Sequence, residues 1–135
     1  MAVIPMLAYE NGAAAIDWLV EAFGFEERER WADDDGTIVH AELVIGGESI
    51  MLATPTPDYV SPKRMRELSA EARKMFEVPY VIDGVLVEVD DLDAHHARAV
   101  EAGANVIRPP EDGPDGRLYT AEDLEGHRWM FQQRQ

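Results

Sequence analysis

The chain has 135 residues, 46% of them hydrophobic, and 27 acidic side chains against 12 basic ones, for a net charge of −15. That length suits one domain able to bury about two-thirds of its unfolded-chain surface. No apolar run approaches the ~20 residues of a membrane span. The start, Met1 to Pro5, carries no basic segment and no apolar h-region, so no signal peptide is expected and the cytosol is the expected compartment. The absence of cysteine excludes disulfides, thiolate metal sites and a cysteine nucleophile, and the negative field disfavours nucleic acid and anionic membrane as partners while favouring cationic ligands.

Ala2 to Tyr9 reads as an edge strand that tolerates Pro5 near its start. Asn11 can cap a helix in which Ala14, Ile16, Trp18, Leu19, Ala22 and Phe23 approximate helical spacing, with Gly24 as its stop. Glu26 to Trp31 alternates loosely and Asp33-Asp34-Asp35-Gly36 is a turn. Strands at Thr37 to Ile45 and Ser49 to Ala53 flank Gly46-Gly47 as a hairpin. Residues 55–83 hold Pro55, Pro57 and Pro62 and five of the basic residues, and read as a partly helical linker in which Met65, Leu68, Ala72 and Phe76 form an imperfect stripe; a basic linker can dock on an acidic body. Val85 to Val89 is a strand, Leu92 to Glu101 a helix stopped by Gly103, and Asn105 to Arg108 a strand. A loop follows from Pro109 to Gly116, then strands at Arg117 to Thr120 and His127 to Gln132 around an Asp123-Leu124-Glu125-Gly126 turn.

The two halves repeat each other. Gly47-Glu48-Ser49-Ile50-Met51-Leu52 and Gly126-His127-Arg128-Trp129-Met130-Phe131 share the order Gly, two polar residues, large apolar, Met, large apolar, 79 residues apart. Val20-Glu21-Ala22 and Val100-Glu101-Ala102 lie 80 apart, each closing a helix. A strand–helix–strand–strand–strand unit of about 50 residues therefore occurs twice, at 2–54 and 84–133 around the 55–83 linker. Such duplicated half-sheets are expected to build a cavity that both share.

Two stretches also resemble a known family. Asn11 to Phe25, with its Ala-Ile-Asp-Trp-Leu-Val-Glu-Ala-Phe-Gly-Phe run, resembles the first helix of the vicinal oxygen chelate superfamily. Asp123 to Trp129 resembles the Asp-Pro-Asp-Gly-His turn before that superfamily's last strand. The group includes glyoxalase I, extradiol dioxygenases, fosfomycin-resistance enzymes and bleomycin-binding proteins. The resemblance covers all but the linker, and implies an α+β fold of two βαβββ modules, curled mixed sheets around a concave cavity, in a homodimer. It further implies, for metal-dependent members, His, Gln or Glu ligands on the first and last strands of each module. Here those slots fall at Ile4, Met51, Gly84 and Met130, and a thioether is too soft for an oxygen-type site. No metal and no cofactor is expected.

Strand alternation then assigns faces. Met51, Ser49 and Ala53 share the concave side with Ile4, Met6 and Ala8. Ile38, His40, Glu42 and Val44 form the matching face of their strand, whereas Val39, Ala41, Leu43 and Ile45 suit helix packing. Leu86, Glu88, Arg128, Met130 and Gln132 face inward in the second half, and Trp129 and Phe131 face the helix. His40 and Glu42, at i and i+2, form a rim ion pair, a proton-transfer or ligand-orienting pair, or two ligands of a displaced metal. The offset of the repeat sets Tyr119 opposite His40, as a hydrogen-bond donor to a ligand or as packing. Glu88 interrupts an apolar strand, so a buried carboxylate there needs a partner: Arg128, or a cationic ligand. Met6, Met51 and Met130 are a soft pocket wall or plain core. His127 reads as a hydrogen-bonder of its turn, His95 and His96 as pointing apart, Trp18 as core, and Trp31 as a stacking platform or a dimer contact.

The expected ligand-binding set is His40, Glu42, Met51, Glu88, Tyr119, Arg128 and Met130, with no catalytic residue named. The leading expectation is metal-free binding or sequestration of a small molecule, cationic ones included. The alternative is a metal-dependent lyase, isomerase or dioxygenase of the glyoxalase type with relocated ligands such as His40, Glu42 and Glu88.

Overall fold

The structure, a computed structural model, describes residues 1–77 and 83–135. It is α+β and holds two open four-stranded mixed sheets of like topology. Contacts divide it into two units, Met1–Ser61 and Pro62–Gln135.

The first unit runs β1 (Met6–Ala8), α1 (Gly12–Phe23), β2 (Glu26–Ala32), β3 (Ile38–Ile45) and β4 (Glu48–Ala53), with strand order β1-β4-β3-β2. Asn11 caps α1, its side chain accepting a 3.0 Å bond from the Ala14 amide, and Gly24 ends the helix in the left-handed region at φ 83°. The apolar stripe of α1 (Ala15, Ile16, Leu19, Ala22, Phe23) is fully buried, each large side chain contributing about 1.5–3 kcal/mol. Trp18, expected in the core, is half-buried with its ring edge-on to Phe23 at 4.9 Å. Gly46 and Gly47, both at positive φ, form the tight β3–β4 turn.

The faces of β3 depart from simple alternation. Trp31 pairs with His40 but Ala32 pairs with Ile38, so Val39 is the extra residue of a bulge. The bulge turns Ile38 onto the helix side, where it is buried beneath Gly12, and leaves Val39 exposed. The expected placement of both residues is thereby reversed. Beyond the bulge the expected parity holds: Ala41 and Leu43 are buried on the helix side, and His40 and Glu42 lie on the opposite, open face.

The second unit contains α2 (Pro62–Leu68), α3 (Ala70–Glu77), β5 (Gly84–Glu88), α4 (Leu92–Glu101), β6 (Asn105–Gly113), β7 (Gly116–Glu122) and β8 (Arg128–Arg134), with order β5-β8-β7-β6. The basic linker thus holds two short helices; of its residues, 78–82 lie outside those described. Pro109 and Pro110, expected in a loop, lie within β6, an edge strand whose pairing skips from Arg108–Thr120 to Glu111–Leu118. An edge position tolerates prolines because no ladder partner needs their missing N–H. Asp91 caps α4 by accepting from the Ala94 amide.

The core between α4 and its sheet is aromatic. Trp129, Phe131 and Tyr119 are fully buried; the Tyr119 and Phe131 rings stack at 5.0 Å, and His95 sits 4.2 Å from Phe131. His95 and His96 were expected to point apart, but both rings lie against Tyr119.

Candidate functional site

Register fixes what each open face presents. In the first sheet Glu29, Glu42, Met51 and Met6 form one row across four strands, since Glu29 pairs with Glu42, Glu42 with Met51 and Met51 with Met6. The neighbouring row begins Trp31–His40. These residues point away from α1, so the face carries two thioethers, two carboxylates, an imidazole and an indole. Met6 and Trp31, on the two edge strands, are 79% and 62% exposed.

The polar contacts on this face differ from those expected. His40 does not pair with Glu42: its Nε2 lies 2.9 Å from Glu29 Oε1, and its ring lies 5.4 Å from the Trp31 ring. Glu42 instead lies 3.6 Å from Arg28, with a side chain only 12% exposed. Alternation within β3 could not show this, because both partners come from β2, whose register shifts between Glu27 and Glu29.

In the second sheet the equivalent row is Arg108, Thr120, Met130 and Leu86. Met130 and Leu86 are 37% and 53% exposed. Thr120, not a tyrosine, occupies the place beside Met130 that Glu42 takes beside Met51. Tyr119 is on the opposite side, in the helix core, with its hydroxyl 2.7 Å from His95 Nδ1. Burial pushes its phenol above the ordinary range. The expected position of Tyr119 opposite His40 fails because β3 and β7 are out of phase by one residue relative to their methionine strands. Thr120 is the residue that sequence reasoning missed.

Glu88 is neither buried nor beside Arg128. It is exposed, and its Oε1 lies 2.6 Å from Arg134 Nε. Arg128 is buried and donates from Nη2 to the Phe76 carbonyl at the end of α3 (3.3 Å). Beside it on β7, Glu122 is buried and accepts from Asn105 Nδ2 at 2.8 Å, and its other oxygen lies 2.9 Å from Arg66 Nη2 of α2. Lys63 N–H donates to the Glu125 carbonyl, and an added Cβ at Gly126 would lie 2.8 Å from Lys63 N. The α2–α3 segment therefore covers the Glu122–Arg128 end of the second sheet's open face and leaves Met130 and Leu86 exposed. The basic segment does dock on an acidic partner, as its charge suggested.

Asp123 organises the Asp123–Gly126 turn. Asp123 Oδ1 accepts from the Glu125 and His127 amides, and Oδ2 accepts from Trp129 Nε1 at 3.0 Å. Asp33 builds the same turn between β2 and β3, accepting from the amides of Asp35 and Thr37.

A bound divalent cation needs a converging set of imidazole or carboxylate donors. The register sets Met6 beside Met51 and Leu86 beside Met130, and Ile4 lies just before β1. Among the described residues no three His, Asp or Glu side chains are grouped to hold a metal ion. The donor set does not fit a hard divalent cation.

A cleft of about 270 Å³ opens in the first unit at the start of α1, lined by Glu10, Asn11, Gly12, Asp35, Thr37 and Thr54 among others. Its polar groups serve the fold: Thr54 Oγ1 accepts from the Gly12 amide. Among the described residues no helix is long and apolar enough to cross a membrane.

Comparison with known proteins gives a consistent family. A model described as Glyoxalase/Bleomycin resistance protein/Dioxygenase superfamily matches residues 4–131. An uncharacterized protein of Mycobacterium bovis is 35% identical over 133 residues, which cover 98% of this chain and 82% of that protein. The crystal structure of TioX from Micromonospora sp. ML1 aligns with a TM-score of 0.72 at 34% identity, covering 100% of this chain and 97% of TioX. TnmS3, an antibiotic binding protein from Streptomyces sp. CB03234, aligns with a TM-score of 0.66 at 22% identity, covering 100% and 98%, and shares the fold.

Proposed function

Since the chain belongs to the glyoxalase/bleomycin resistance protein/dioxygenase superfamily, we propose that it binds and sequesters a small molecule on its open sheet faces, without a metal, as a homodimer in the cytosol. The observation that carries this reading is the Glu29–Glu42–Met51–Met6 row with Trp31 and His40 beside it. An exposed indole offers a stacking surface, methionines adapt to irregular apolar shapes, and carboxylates favour a cationic group. TnmS3 binds an antibiotic on the same fold, which supports small-molecule binding as a use of this scaffold.

The competing reading, a metal-dependent lyase, isomerase or dioxygenase, requires converging donors, and among the described residues no three His, Asp or Glu side chains are so grouped; His40 is engaged with Glu29, and Glu88 with Arg134. Elemental mass spectrometry on protein purified without chelators separates the two. Stoichiometric metal would favour the enzyme.

The binding test is calorimetry with bleomycin and ethidium as cationic aromatic probes, alongside tryptophan quenching. Binding of either probe that weakens by about tenfold in Glu42→Gln, and loses quenching in Trp31→Phe, is the expected result. Affinity unchanged in both variants would remove the first sheet's open face as the site.

A further inference from the structure

The matching rows of the two sheets carry opposite hydrogen-bonding chemistry. Aligned on their methionines, Glu29–Glu42–Met51–Met6 of the first sheet corresponds to Arg108–Thr120–Met130–Leu86 of the second. Two carboxylates, which accept hydrogen bonds when ionised, are replaced by a guanidinium and a hydroxyl, which donate them. One duplicated framework therefore offers acceptors on one open face and donors on the other.

Thr120 is the inner donor. It lies on β7, an inner strand, and its neighbours Tyr119 and Ala121 are wholly buried on the helix side, so its own side chain stands on the open face. Thr120 is only 7% exposed, yet its hydroxyl has no hydrogen-bond partner among the described residues. Buried hydroxyls are ordinarily paired, and an unpaired one opposes folding until an acceptor reaches it. Valine would have nearly the same shape without that penalty. The surroundings are mainly apolar: Met130 and Leu86 continue the row and are exposed, and Leu118 begins the next. The nearest carboxylate along β7, Glu122, is already committed to Arg66 and Asn105. A few placed polar groups on an apolar floor are the usual make-up of a small-molecule site.

We propose that Thr120 is the specificity-determining residue of a subsite on the second sheet's open face, where its hydroxyl donates to the carbonyl oxygen of an uncharged ketone, amide or ester resting on Met130 and Leu86. The inference rests on the reading that the open faces bind a small molecule, and it gives the second face a ligand class unlike the cationic group favoured by the first. Arg108, next to Thr120 in the row, adds positive potential that favours an acceptor, while the net charge of −15 opposes a full anion. A site with such a hydroxyl discriminates against an analogue that lacks the acceptor, because the analogue leaves the hydroxyl buried and unpaired.

Equilibrium dialysis with fluorenone and fluorene, which differ in a single carbonyl group, tests the assignment in wild type, Thr120→Val and Thr120→Ser, with circular dichroism as the fold control. The readout is the ratio of the two affinities, since fluorene is the more apolar probe. The expected result is a fluorenone-to-fluorene ratio that falls by about fivefold to tenfold in Thr120→Val and is retained in Thr120→Ser. A ratio unchanged in Thr120→Val overturns the proposal, as does an equal fall in Thr120→Ser or a wild type that binds neither probe. Tighter binding of fluorene-carboxylate than of fluorenone would assign the face to an anion and overturn it too. Ethidium titrated into wild type and Trp31→Phe keeps the two failures apart: ethidium binding that depends on Trp31, without discrimination by Thr120, removes this subsite and leaves the small-molecule reading standing.

Discussion

Asp123 satisfies two turn amides and an indole N–H with one carboxylate, in a site where every partner is wholly or largely shielded from water. Asp123→Ala strands three donors at once, and hydrogen bonds to charged groups contribute about 1.5–3 kcal/mol each. The expected loss is about 3 kcal/mol or more, read by urea denaturation; Trp129→Phe, which removes one donor, should cost about 1–2 kcal/mol. Tyr119 gives a pH prediction. Its phenol is held above the ordinary value by burial, while an unfolded tyrosine ionises near ~10. The stabilisation is therefore complete below the unfolded value and is lost progressively as pH rises above it. In a folded sample near pH 11, Tyr119→Phe should show the same tyrosinate absorbance as wild type. A missing equivalent in the variant would mean that Tyr119 ionises normally. The resemblance marked the Asp123 turn, but it drew attention to His127; the bonding scheme depends on where Trp129 comes to lie, which neighbouring residues do not specify.

At the scale of elements, the Arg66–Glu122 ion pair is one of the ties that hold α2 and α3 to the second sheet. Arg66→Ala takes the guanidinium from the buried Glu122 carboxylate and leaves it the Asn105 amide. Breaking a buried pair from one side costs about 3–5 kcal/mol, so Arg66→Ala should lower stability by about 3 kcal/mol while Arg73→Ala, on an exposed position, changes it little. Equal effects in urea titrations would contradict the assignment of Arg66 as the clasp. Strand pairing gives a second contrast. Gly116 sits at φ 130° with an added Cβ only 2.1 Å from the Gln133 carbonyl, whereas Gly47 at φ 83° has open space around it. Gly116→Ala should disrupt the β6–β7 hairpin and abolish soluble expression or cost several kcal/mol, whereas Gly47→Asn should be nearly neutral, as asparagine tolerates the left-handed region. Thermal melts of the two variants check this. The elements themselves were legible, since period and punctuation are local. The exceptions came from neighbours: the Val39 bulge answers to β2, and the prolines of β6 are admitted because that strand lies at an edge.

For the whole molecule, the surplus of 15 negative charges should make stability depend on ionic strength. Self-repulsion among like charges is screened over a Debye length of ~10 Å at 0.1 M salt. The melting temperature of dilute protein should rise by a few degrees on raising sodium chloride from low to molar concentration, and a fall would mean that surface ion pairs such as Arg30–Glu27 outweigh the repulsion. The duplicated architecture, the absence of disulfide chemistry, and the paired Met51 and Met130 follow from sequence alone. They rest on composition and on periods of 2.0 and 3.6 residues, which the covalent chain imposes wherever it is placed. The tertiary structure alone decided that His40 pairs with Glu29 and Glu88 with Arg134, that Thr120 rather than Tyr119 stands beside Met130, and that Arg66 clasps Glu122. These are meetings between strands and helices distant in sequence, and a one-residue shift in register is enough to exchange one face of a strand for the other.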